Sequence, residues 1–170
     1  MSTKLQGLRV DEIRHMARQD AQDILSQHWT PYMLPVEPVT IARSLGLSVF
    51  SAQLGDDVFG MLVGGSGGAD IYLDRDQPRK RFRFSCAHEI GHYLLRADDL
   101  TPDSAFIDKR SDDTRGVADE IYANDFAGSL LMPEPELLAE IRAGRDIYAL
   151  ARIFDVSLDA LRYRRQLLAA

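Results

Sequence analysis

The stretch Phe84–Leu95, FSCAHEIGHYLL, decides how the chain is read. It carries His88 and His92 four residues apart, with Glu89 beside the first. On a helix, positions i and i+4 lie about 40° apart around the axis, so both imidazoles can address one ion. Glu89 is offset by one position. It can reach a water at such an ion without being a ligand, which is the logic of H-E-x-x-H in metalloproteases. Around this trio, Ala87, Ile90, Gly91 and Leu94 form an apolar stripe at i, i+3, i+4 and i+7. That pattern predicts a central helix over 81–96 whose polar trio faces a cleft. Gly91 costs about 1 kcal/mol against alanine in a helix interior, so it predicts close approach of another element. Cys86 lies two residues before His88, on the far side of the helix, and is read as a small buried side chain. Of the four histidines, His15 and His28 fall in or at the end of the N-terminal helix and are read as structural or surface residues.

A catalytic zinc usually takes three protein ligands and leaves a position for water. The segment DEIYANDFAGSLLMP, 119–133, supplies a third. Glu120, Asn124, Ala127 and Leu131 share one helical face. Glu120 can reach the metal, and Asn124 lies where a hydrogen bond could orient His88 or His92. Asp119 is the competing carboxylate, but it points about 100° away.

The rest of the chain reads as an α+β domain. Residues 8–28 show helical periodicity, and VTIARSLGL forms a short helix stopped by Gly46. LSVFSAQL, FGMLVG and ADIYLD read as three strands, with GGSGG at 64–68 as a plain hairpin loop. ADDLTPDSAFIDKRSDDTR reads as an irregular loop, followed by a helix from Thr114 to Leu131 that stops at Pro133. Residues 134–142, 146–154 and 157–168 read as three helices, with Ser157 as N-cap of the last. ARIFDVSLDAL within them has helix-turn-helix spacing.

Composition narrows the classes. A length of 170 residues with 45% hydrophobic and 27% charged residues suits a globular domain with its own core. A net charge of −6 argues against bulk electrostatic binding to nucleic acid. A single cysteine allows no intramolecular disulfide, the N-terminus is polar, and no apolar run reaches the roughly 18 residues of a membrane span. The expectation is a cytoplasmic protein. The basic run PRKRFRF, 78–84, is read as a solvated flank, with a guide for an acidic substrate segment or a contact to DNA while the repressor is bound as the alternatives.

RFRFSCAHEIGHYLL followed by DEIYANDFAGSLLMP resembles the ImmA/IrrE family of metallopeptidases, and PVEPVTIARSLGLSVF is similar to that family's N-terminal segment. The resemblance spans roughly 35–168. It implies a small zincin-like (minigluzincin) peptidase fold: a short three-stranded sheet, the H-E-x-x-H helix and a ligand helix within residues 1–133. A helix-turn-helix-like C-terminal helical region at 134–170 would pack on it. His88, His92 and Glu120 match the family's metal ligands for one zinc ion, and Glu89 matches its catalytic glutamate. No other cofactor is implied. The implied partner is an Xre-like helix-turn-helix repressor whose cleavage relieves repression of phage, mobile-element or stress-response genes; direct DNA binding is not expected. The alternative is a non-catalytic repressor- or DNA-binding module with a structural metal site. The oxyanion-stabilising residue is left open among Tyr93, Tyr122 and Arg115. By analogy of fold, an extended substrate is expected to lie along the edge of ADIYLD.

Overall fold

The computed structural model describes residues 3–55, 58–65, 68–97, 105–109 and 117–169. After a 3-10 turn at Thr3–Leu5, α1 spans Val10–His28. It begins where the Glu12 carboxylate accepts the Arg9 backbone N–H at 2.8 Å, satisfying one of the orphan donors of a helix start. Its inner face is small: Ala17 and Ala21 are fully buried with Ile13. Helix α2, Pro38–Ser44, ends at Gly46, whose φ of +82° is a left-handed conformation open to glycine.

The sheet follows. Strands β1 (Ser48–Ala52), β2 (Val58–Gly65) and β3 (Gly68–Asp74) are the three expected from sequence. β2 and β3 pair antiparallel with Gly65 opposite Gly68, and residues 66–67, the middle of the stretch read as a hairpin loop, lie outside the described residues. β1 pairs parallel with β3. Burial alternates along β2 and β3, placing Leu62, Ala69, Ile71 and Leu73 on one covered face, as expected for a sheet packed on one side only.

Two sequence expectations are corrected here. A fourth strand, β4 (Ala105–Lys109), pairs antiparallel with β2 inside the stretch read as irregular. AFIDK is too short for periodicity to lift it above its polar flanks, and pairing with β2 supplies the backbone partners that stabilise it. The sheet order is therefore β1-β3-β2-β4. ADIYLD is β3, an interior strand whose two edges are both paired, so no substrate can add to it. Among the described residues the outer strands are β1 and β4.

Helix α3, Arg79–Arg96, starts two residues earlier than its apolar pattern suggests, behind Pro78. It packs on the covered sheet face, and α4, Val117–Leu131, packs against both α3 and α1. Thr114, the expected start of α4, lies outside the described residues. Helices α5 (Glu134–Arg142), α6 (Ile147–Ile153) and α7 (Leu158–Ala169) complete the chain. Ser157 Oγ accepts the Ala160 N–H at 3.1 Å as the expected cap, and Asp146 caps α6 through Ala149 N–H at 2.7 Å. Leu137, Leu150, Phe154 and Leu161 tie these helices into the common core. No helix among the described residues is long and apolar enough to cross a membrane.

Candidate metal centre

The site exists because α3 and α4 approach closely. A Cβ built on Gly91 would meet the Ala123 backbone Cα at 3.1 Å and the Phe126 ring at 3.3 Å. Glycine is thus the residue that lets the helices cross, as its cost within a helix implied.

At that crossing three donor side chains face one another. His88 Nε2 and His92 Nε2 are 2.9 Å apart. Glu120 Oε2 is 3.4 Å from His88 Nε2, and Glu120 Oε1 is 3.2 Å from His92 Nε2. The edge of a tetrahedral zinc shell with bonds of about 2.0–2.1 Å is about 3.3 Å, so the two imidazoles and the carboxylate stand at spacings close to those of ligands on one ion, with one ligand atom from each within 4.8 Å of the others. Two imidazoles and a carboxylate suit zinc.

Asn124 faces His88, with its Oδ1 3.1 Å from His88 Nδ1. An amide oxygen only accepts, so Nδ1–H donates to Asn124, and with a metal bound Nε2 would be the nitrogen left to offer its lone pair to the ion. Burial alone would raise the Glu120 carboxyl, but hydrogen bonds and charge from His88 and His92 outweigh it and hold it well below the usual carboxylate range. Asp119, the competing carboxylate, is fully buried and pairs with Arg96 at 2.8 Å.

Glu89 is fully buried and lies against β2. A Cβ on Gly60 would come within 2.7 Å of Glu89 Oε1. Gly60 therefore makes room for the glutamate, next to a register shift between Val58 and Gly60. The sequence held a signal for it, a glycine inside a strand, which marks a close approach or a bulge. Two further bonds brace this corner. Ser85 Oγ donates to Gln77 Oε1 at 3.0 Å, and Gln77 Nε2 donates to the Phe59 carbonyl at 2.9 Å.

A cleft of about 430 Å³ opens beside the centre, bounded by Phe59, Arg81, Phe84, His88, Glu120 and Val156. Its wall thus includes the turn before α7. The basic run explains that placement. Arg79 Nε donates to Asp155 Oδ2 at 2.9 Å, and Lys80 Nζ to the Val156 carbonyl at 2.9 Å. Arg83, itself buried, binds Glu37, the Val36 carbonyl at 2.7 Å and the Asp155 carbonyl at 3.3 Å. Three of the four cations are therefore anchors. The fourth, Arg81, lies over the Phe59 ring at 4.7 Å, at the cleft.

Of the residues left open for oxyanion stabilisation, Tyr122 is buried against α1, with its hydroxyl donating to Asp20. It faces away from the cleft. Tyr93 makes no described contact with the centre, and Arg115 lies outside the described residues. His15 is exposed, and His28 Nδ1 is 3.0 Å from Ser44 Oγ, both away from the site.

A four-stranded sheet carrying two crossed helices, with a His–His–Glu donor set at the crossing, defines an α+β protein able to hold one metal ion. The sequence model of the IrrE N-terminal-like domain, peptidase family M78, matches residues 42–165, and the chain belongs to that family. No curated protein matches it. Among solved structures it is similar to a Mycobacterium tuberculosis transcriptional regulator, with a TM-score of 0.61 at 20% identity. That match covers 92% of this chain and 52% of the other, so the chain spans about half the length of that protein and the likeness is one of fold.

Proposed function

We propose that this protein is a zinc-dependent endopeptidase that cleaves a helix-turn-helix repressor, relieving repression of phage, mobile-element or stress-response genes. The observation that carries the reading is the convergence of His88, His92 and Glu120 beside a buried Glu89. Zinc held by those three side chains would acidify a water from a pKa of 15.7 toward about 7 and polarise the scissile carbonyl.

The chain's own residues do the rest. Glu89, pressed against Gly60, takes a proton from the attacking water and returns it to the leaving nitrogen. Asn124 fixes the His88 tautomer. The substrate lies extended, and β4 is the strand edge suited to receive it, because β4 borders β2 and Gly60 of β2 touches Glu89. Residues 1–133 form the peptidase unit. Residues 134–170 pack on it and contribute Val156 and Ala160 to the cleft, so a folded repressor can dock there while an extended segment enters.

The test is to co-express a helix-turn-helix repressor encoded beside this gene with wild type and with Glu89→Gln, and to map fragments by mass spectrometry. A discrete cut made only by wild type supports the proposal. An intact repressor held in a stable complex with zinc-loaded wild type overturns it in favour of a binding module.

A further inference from the structure

The basic run at the start of α3 contains one cation that the fold does not use. The first turn of α3 holds no acidic residue, and cations there oppose the helix macrodipole. Arg79 and Arg83 are balanced by Asp155 and Glu37, and Lys80 is tied to the Val156 carbonyl. Arg81 is exposed and has neither hydrogen bond nor ion pair among the described residues. Its partner is the Phe59 ring, 4.7 Å from the guanidinium carbon.

That ring is a fixed platform. Phe59 is the extra residue of the β2 bulge, between Val58, opposite Lys109, and Gly60, opposite Asp108. Its carbonyl accepts from Gln77 Nε2 at 2.9 Å. Stacking on the ring orients the guanidinium plane and leaves its edge N–H groups for a carboxylate. From this platform the cleft runs to the metal ligands along one face of α3. Arg81, Phe84, Ser85 and His88 stand at i, i+3, i+4 and i+7, and all four line it. Two helical turns are about 10 Å, the length of about three residues of extended chain.

The charge of the cleft has a definite sign. Besides His88, its ionisable lining is Lys80, Arg81 and Glu120, and Glu120 is committed to the ion in the metal-bound protein. The cleft is therefore positive on a chain of net charge −6, which attracts an acidic segment and disfavours a basic one.

We propose that Arg81, stacked on Phe59, determines substrate specificity by receiving an Asp or Glu side chain about two to four residues from the scissile bond. The scissile bond belongs to the peptidase reading, on which that placement rests; the acidic preference itself is a property of binding and is measured without cleavage.

Zinc-loaded Glu89→Gln protein is incubated with a library of short random peptides, and the retained peptides are sequenced by mass spectrometry. Asp and Glu should be enriched about threefold to fivefold over the input. The enrichment should vanish when Arg81→Gln is added and turn to Lys and Arg with Arg81→Glu. Arg81 is exposed and hydrogen-bonds nothing, so both substitutions keep the fold, which wild-type zinc content verifies. Arg142→Glu, at an exposed position on α5 that does not line the cleft, makes the same charge change and should leave the enrichment as it was. No acidic enrichment, an enrichment unmoved by Arg81→Glu, or an equal loss in Arg142→Glu would each overturn the proposal, as would retention of duplex DNA in place of acidic peptides. Cut sites mapped with wild type then test the position, and acidic residues placed at random relative to the cuts would also overturn it. Acidic retention that depends on Arg81 without any cleavage by wild type supports the specificity assignment and counts against the peptidase reading alone.

Discussion

Gly60→Ala is the perturbation that isolates Glu89 without touching it. The added methyl would sit 2.7 Å from Glu89 Oε1, 3.1 Å from Cγ and 3.2 Å from Cδ. The shortest of these is about 1 Å inside van der Waals separation. Gly60 lies within a strand and has no left-handed φ, so alanine fits the backbone and recovers about 0.4–1 kcal/mol through the unfolded state. Against this stands overpacking of about 1–3 kcal/mol in a filled interior. The net loss of stability is therefore at most about 2–3 kcal/mol, and the fold persists. The effect on chemistry is larger in proportion. A displacement near 1 Å of a reacting group costs about 10²-fold, and complete loss of a positioned acid–base group costs about 10²–10⁴-fold. Repressor cleavage should fall by at least about 10²-fold, while zinc content stays at the wild-type value because no ligand has moved. The assay pairs thermal denaturation and metal analysis with single-turnover cleavage. Wild-type cleavage by a folded, zinc-loaded Gly60→Ala protein would refute the placement of Glu89 as the base.

Two further outcomes follow from the same packing. Gly91→Ala drives a methyl into backbone and ring atoms of α4 rather than into one flexible side chain. It should cost about 1–3 kcal/mol in urea denaturation and also weaken zinc retention against a chelator, since it separates the helices that bring Glu120 to the histidines; unchanged zinc retention would show that the crossing does not set the site. Burial, with a smaller push from Glu89, raises the Cys86 thiol from 9.0 to about 12. At pH 8 it stays protonated and covered, so iodoacetamide should label it only after denaturation, and rapid labelling of the native protein would contradict its placement.

Much of this was legible in the sequence, for physical reasons. The H-E-x-x-H spacing and the apolar stripe through Ala87, Ile90 and Gly91 placed α3 and its face, because helical period and ligand register coincide there. Glu120 could be preferred to Asp119 from angular offset alone, and the Asp119–Arg96 pair accounts for the carboxylate left over. What escaped was decided by contacts distant in sequence. AFIDK is a strand only because β2 offers it a partner, and the interior position of β3 depends on β1 pairing beside it. Gly60 could be noticed as a strand glycine, but not matched to Glu89, 29 residues on. Tyr122 looked available for the oxyanion until its hydroxyl was seen to serve Asp20 on α1. The basic run read as a solvated flank because its acceptors, Asp155 and the carbonyls of Val36 and Val156, lie far away along the chain.

The central claim is that His88, His92 and Glu120 hold one zinc ion while Glu89 stands beside it without binding. Native mass spectrometry of wild type, His92→Ala, Glu120→Gln and Glu89→Gln, each purified with equimolar zinc, tests it directly. The account predicts one zinc per chain in wild type and Glu89→Gln, and loss of zinc from His92→Ala and Glu120→Gln. Equal zinc in wild type and His92→Ala would contradict it.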